Sequence, residues 1–201
     1  MAKRVLLVRG GSLGRNTGLG AAHHNLVDLL ESGKVDGWQL AGICEYPLEK
    51  TSNPISRIWQ RWFAHPKRVA KEINRLVSNN QCDLVHITDQ EQGHLMPKNC
   101  PVPGIITVHD LFHLFPEHLR FSDEVIAVGD TKPGIVRRRD LQKLKAGINR
   151  ANHLLCNSKH TLEAAEQHFP TVAASRVPLG IESAKYHPEN NQTIKLDLPD
   201  K

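Results

Sequence analysis

Long apolar runs are missing from this sequence. The longest, such as Val5–Val8 and Gly104–Val108, fall far short of the roughly 18 to 20 residues that a membrane-spanning helix requires, so no bilayer-crossing segment is expected. A secretory leader does not fit either. Met1 to Arg4 is basic, but only four apolar residues follow before Arg9, fewer than the roughly 7 to 15 of a signal-peptide core, and a cytoplasmic location is the expectation. Cysteine is scarce: Cys44, Cys82, Cys100 and Cys156 are widely separated and form no C-x2-C pair. That excludes a zinc ribbon and a disulfide framework, and reduced, mostly buried thiols are expected. Acidic residues are outnumbered, 21 against 26 Lys and Arg, for a formal charge of +5. The excess favours phosphates, nucleotides or acidic lipid. Nucleic acid is not an expected partner, because the basic residues are spread over several elements without a helix-turn-helix, RRM or zinc-finger pattern.

What is present reads as globular. With 201 residues, 39% hydrophobic and 23% charged, the chain can bury a sizeable core, but it is too short for two full α/β domains. Short apolar runs alternate with stretches of helical period, the signature of strands buried on both faces of a parallel sheet. Val5–Val8, Trp38–Ile43, Asp83–Ile87, Ile105–Val108 and Leu154–Cys156 are the expected strands, with a last extended piece at Arg176–Ile181. Helical period appears after Thr17 (Ala22, Leu26, Leu29, Leu30), over Val69–Val77 and over Ile135–Ala151. Ser158 stands as the N-cap of a further helix carrying Leu162, Ala165 and Phe169. After Pro188 the sequence turns polar, so residues 189–201 are expected to be a linker or disordered tail.

Three constellations can carry chemistry. The first is the turn Gly10–Gly20 after the first strand, with glycines at 10, 11, 14, 18 and 20. Such a turn lets backbone amides approach an anion at a helix N-terminus, although neither the P-loop nor the G-x-G-x-x-G pattern fits. The second is His109-Asp110, delivered by a buried strand to the sheet edge where doubly wound folds open onto their ligands. There His109 can face a sugar hydroxyl or phosphate, with Asp110 fixing its tautomer or capping the next turn. His113 lies four residues on, but Asp110 stands where a zincin carries Glu and no third ligand is evident, so no metal is expected. The third is Ile55, Ile58, Trp59, Trp62 and Phe63, at the spacing of one helical face, with Arg57 and Arg61 beside them and Lys67, Arg68 and Lys71 following. That stripe reads either as core or as an interfacial face for acidic lipid or a lipid-linked acceptor, through Trp59, Trp62 and Arg61.

Taken in order, the first strand with its glycine turn, the His109-Asp110 segment followed by Pro116, Leu154–Thr161, and Arg176–Ile181 with His187-Pro188 after it resemble the N-terminal half of the family 4 glycosyltransferases. This is a retaining group with the GT-B architecture of two facing Rossmann-like domains. The resemblance implies an α/β fold, a Rossmann-like parallel sheet sandwiched by helices, over residues 1–188. It implies a nucleotide-sugar donor, a carbohydrate or lipid-linked acceptor, and no tightly bound cofactor. Gly18 and Gly20 would approach the donor diphosphate and the acceptor, His109 would face the donor sugar as the catalytic histidine, and Asp110 would support it. The E-x7-E glutamate pair that such enzymes carry in their second domain is absent: no Glu has another eight positions later. The resemblance therefore implies a half-enzyme, inactive until a C-terminal donor-binding domain or separate chain completes the cleft. The competing reading is a non-catalytic membrane-surface or partner-binding module, peripheral at the inner face of the membrane.

Overall fold

The computed structural model describes residues 2–47, 53–121 and 124–180. Its centre is a six-stranded sheet in the order β2-β1-β3-β4-β7-β8, built from β1 (Lys3–Gly11), β2 (Trp38–Tyr46), β3 (Leu84–Ile87), β4 (Gly104–Val108), β7 (His153–Cys156) and β8 (Ala173–Arg176). Every pairing is parallel, which obliges the chain to cross over between strands, mostly through helices. The α/β fold expected from the sequence is the one observed.

Alternation along β1 explains the layering, because successive side chains of a strand face opposite ways. Val5 and Leu7 pack with Val27 and Leu30 of α1 (Gly18–Glu31). Leu6 and Val8 enter the larger cluster, with Val69, Ile73 and Leu76 of α3 (His65–Ser78), Leu144 and Ile148 of α4 (Ile135–Ile148), and Ala165 and Phe169 of α5 (Lys159–His168). Pairing also aligns the carboxyl ends, Val8 beside Ile87, Ile87 beside Ile106, and Val108 beside Cys156. Arg9, Thr88, His109 and Asn157 therefore emerge along one edge. All four cysteines are free, and Cys44, Cys82 and Cys156 are buried. Among the described residues no helix is long and apolar enough to cross a membrane.

Two local features depart from the sequence reading. The last strand is Ala173–Arg176 rather than Arg176–Ile181, fixed by its pairing with β7; Ile181 and the expected tail at 189–201 lie outside the described residues. A separate antiparallel hairpin, β5 (Glu117–Phe121) with β6 (Glu124–Val128), was not anticipated.

The stripe Ile55–Phe63 does form helix, but not with one period. α2 (Pro54–Trp59), capped by the Asn53 side chain, passes through a π-helical stretch, Gln60–Ala64, into α3. Pro66 has no N–H to offer the carbonyl of Trp62, and widening the preceding turn accommodates that missing bond.

α4 meets the turn after β3 backbone on backbone. A Cβ on Gly147 of α4 would collide with the carbonyl oxygen of Gly93, and one on Gly93 would come within 2.9 Å of the Ile148 side chain. Gly93 belongs to a 3₁₀ turn, Gln90–Leu95, that follows β3. Gly147→Ala should therefore destabilise the protein by about 1–3 kcal/mol through overpacking, read as a lowered urea midpoint. An unchanged midpoint would mean that α4 is free to shift.

Candidate functional site

The turn after β1 closes on itself. Thr17 caps α1, its Oγ1 accepting from the Gly20 N–H at 3.1 Å and donating to the Gly14 carbonyl at 3.1 Å. His24 Nε2 donates to the Leu13 carbonyl at 2.9 Å, and Arg15 forms a two-pronged ion pair with Asp28 at 2.6 and 2.9 Å. A side chain on Gly20 would strike the Gly14 carbonyl and Thr17, whereas Gly18 has open space around it. The two expected glycines thus divide. Gly20 lets the turn seat against its helix, and Gly18 leaves the helix start open to a bound group.

Thr88 organises the sheet edge. It follows β3, and its N–H bonds to the Val8 carbonyl at 3.2 Å. Its carbonyl accepts from His109 Nε2 at 3.2 Å, and its hydroxyl bonds His23 Nδ1 at 3.1 Å. A carbonyl can only accept, so His109 carries its proton on Nε2, and Nδ1 holds the lone pair while the ring is neutral. The His109 backbone is gripped on both sides. Its N–H donates to Gln90 Oε1 at 2.9 Å, and its carbonyl accepts from Thr161 Oγ1 at 3.2 Å. Thr161 is itself placed by Ser158, which caps α5 as expected, accepting the Thr161 N–H at 3.1 Å. His109 is therefore held by β3, the 3₁₀ turn and α5 together, the preorganisation that a group acting on a bound molecule requires.

Asp110 does not fix the tautomer of His109; the Thr88 carbonyl does that. Asp110 is half-buried, with Oδ1 shielded and without a hydrogen-bond partner. His113 is exposed, and among the described residues no three His, Cys, Asp or Glu side chains gather as metal ligands.

Beside this edge lies charge that sequence reasoning did not single out. Arg9 is 2% exposed. Its Nη2 stands 3.9 Å from Asp89 Oδ2, while Nε and Nη1 have no partner. Burial lowers the pKa of Arg9 and raises that of Asp89, and at this separation their attraction does not offset the lost hydration. His23 was also missed. Its signal was faint, one of two adjacent histidines in the second turn of α1. Thr88-Asp89, by contrast, repeats after β3 the pattern that His109-Asp110 makes after β4, and that repetition was legible.

The aromatic stripe splits between two roles. Trp62 turns inward and donates from Nε1 to Asp140 Oδ1 at 2.9 Å. Arg61 does likewise, from Nε to Oδ1 at 2.8 Å and from Nη2 to Oδ2 at 3.0 Å, and gives a further bond to the Glu91 carbonyl at 2.8 Å. Ile55, Trp59 and Phe63 stay exposed. A pure core stripe does not describe the structure: the widened turn changes the helical phase between Trp59, which is exposed, and Trp62, which with Arg61 is half-buried.

Comparison with known proteins finds no matching family model and no matching curated protein. Solved structures do match. A UDP-glucosyltransferase from Polygonum tinctorium, described as capable of glucosylating indoxyl, superposes with a TM-score of 0.52 at 12% identity, over 98% of this chain and 56% of that one. UGT2 of Phytolacca americana, in complex with UDP-2-fluoro-glucose and pterostilbene, gives 0.51 at 11% identity, over 90% and 54%. The chain thus spans about half the length of each. What is shared at such identity is the fold, a six-stranded parallel sheet flanked by helices that matches the Rossmann-like lobe of GT-B glycosyltransferases.

Burial makes the site acid-sensitive. It pushes His23 down to about 4, with the charge of Arg9 adding to the effect. Burial likewise takes His86, bonded to Thr107 Oγ1 at 2.7 Å, to about 4, and His94 to about 3. In the unfolded chain each returns to roughly 6.5, so below that pH the unfolded state binds more protons. The stability these neutral rings provide is whole above about pH 6.5 and is lost as pH falls toward 4. Urea midpoints should drop steeply between pH 7 and pH 4.5; a flat profile would show that these rings are protonated in the fold.

Proposed function

We propose that this chain is the acceptor-side lobe of a retaining glycosyltransferase of the family 4 type, which moves a sugar from a nucleotide-sugar donor to an acceptor hydroxyl. The observation that carries the proposal is His109, clamped at the carboxyl edge of a GT-B-type lobe by Thr88, Gln90 and Thr161. It is linked through Thr88 to His23 of the helix that begins at Gly18. A parallel sheet of this topology binds ligands outside the carboxyl ends of its strands.

In this reading the donor sugar lies against His109. With Nε2 bonded to the Thr88 carbonyl, Nδ1 is the nitrogen that receives a hydrogen bond from a sugar hydroxyl. Gly18 admits the diphosphate or the acceptor to the start of α1, and the buried Arg9 adds positive potential behind the edge. Asp110 contributes its shielded carboxylate to the same wall. A second lobe, on the same chain or a separate one, supplies most of the nucleotide contacts and the charge that stabilises the departing diphosphate. No tightly bound cofactor takes part.

Two measurements test the proposal. By calorimetry, the isolated chain should bind a nucleotide sugar weakly; nanomolar affinity without a second lobe would contradict the division of labour. In a completed enzyme, His109→Ala should lower kcat by about 10²- to 10³-fold, the range for losing one preorganised hydrogen-bonding group at the reacting sugar, with the fold intact by circular dichroism. A kcat within a few-fold of the parent would remove His109 from the reaction.

A further inference from the structure

We infer that the outer face of α2 and the first turn of α4 together form a docking surface for an anionic lipid bilayer. The inference is independent of the chemistry at His109. Ile55, Trp59 and Phe63 are 79%, 62% and 47% exposed. They recur every four residues, and the same spacing continues into Lys67 and Lys71, both exposed. Beside them α4 presents Ile135 and Val136, 82% and 52% exposed, and then Arg138 and Arg139, also exposed. Two elements separated by some 70 positions of sequence thus contribute the same combination, large apolar side chains followed by cations.

The charge is one-sided. No Asp or Glu occurs between Asn53 and Lys71, and the only one between Thr131 and Ala146 is Asp140. Asp140 is buried, with its two oxygens occupied by Arg61, Trp62 and Arg137. Between the two elements lies an open recess of about 510 Å³, walled by Ile58, Trp62, Ile135 and Val136 and floored by the Arg61–Asp140 pair. The floor charges neutralise one another, so the recess accepts apolar matter while the cations at the rim remain available to headgroups. Lys143 extends over the rings of Trp62 and Phe63, at 5.4 and 5.6 Å from their centroids.

Aromatic and aliphatic side chains at headgroup depth with Lys and Arg beside them are how an interfacial helix binds acidic lipid, where apolar burial and attraction to the surface add. A second copy of this chain fits the face less well. A two-fold contact would set the patch against a copy of itself, and its exposed cations would find no carboxylate there to pair with. The sequence alone nominated Trp59, Trp62 and Arg61 for such contact; here Trp59 stands on the exposed face with Phe63, Ile135 and Val136, while Trp62 and Arg61, bonded to Asp140, line the recess behind it.

Sedimentation of the full chain with vesicles decides the matter. The protein should pellet with phosphatidylcholine vesicles containing phosphatidylglycerol, not with phosphatidylcholine alone, and should be released by salt. Trp59→Ser with Phe63→Ser, and separately Arg138→Gln with Arg139→Gln, should each weaken binding by about tenfold or more, with unchanged far-ultraviolet circular dichroism and a cooperative urea transition. Brominated lipid should quench the tryptophan emission of the parent and much less that of Trp59→Phe. Absence of binding to acidic vesicles, equal binding to neutral ones, or full binding by the folded Trp59→Ser, Phe63→Ser variant would overturn the inference. So would self-association abolished by that variant in a protein that ignores vesicles, which would assign the face to a second copy.

Discussion

Asp140 is the point on which the architecture around the candidate site depends. Its carboxylate accepts from Arg61 twice, from the Trp62 indole and from Arg137, and so ties the π-helical stretch to α4. Arg137 also reaches Glu91 at 3.3 Å, and Arg61 reaches the Glu91 carbonyl, which brings in the 3₁₀ turn. Burial alone would raise the pKa of Asp140, but the hydrogen bonds and charge of Arg61, with the Trp62 bond, hold it below the ordinary carboxylate value. A buried ion pair adds little net stability, yet removing one partner leaves a charge uncompensated. Its value here is positional, since it selects which aromatic side chains turn in and which stay out.

The 3₁₀ turn joins this cluster to the sheet edge. Gln90 holds the N–H of His109, Glu91 and Gln92 meet Arg61, Gly93 lies on α4, and His94 donates from Nε2 to the Arg61 carbonyl. Consecutive residues of one short turn therefore serve both His109 at the sheet edge and α4. The two regions share a single rigid support.

Much of the fold was legible because it rests on local pattern. β1, β3, β4 and β7 are apolar runs, and the cap at Ser158 is a serine before a helical period. The placement of His109 followed from its position one residue past a buried strand. What was illegible depends on partners distant in sequence. β8 reads Ala-Ala-Ser-Arg, with no apolar run, and becomes a strand only by pairing with β7. The β5–β6 hairpin has two short strands whose mutual pairing is most of what defines it. Trp62 turns inward because of a carboxylate 78 positions away, and no helical periodicity contains that information. Gln90 and Thr161 matter because the 3₁₀ turn and α5 converge on the His109 backbone, a fact of topology rather than of composition.

The seat of Gly147 against Gly93 also sets a geometry at a distance. Gly147 lies at the last turn of α4, and Ile135 begins the first, about 18 Å along the axis at 1.5 Å per residue. Because that end of the helix is seated on bare backbone, a shift forced there is carried along the helix as a body to its first turn. The absence of two methyl groups in the interior thereby governs how far the outermost side chains of the molecule project into whatever they meet.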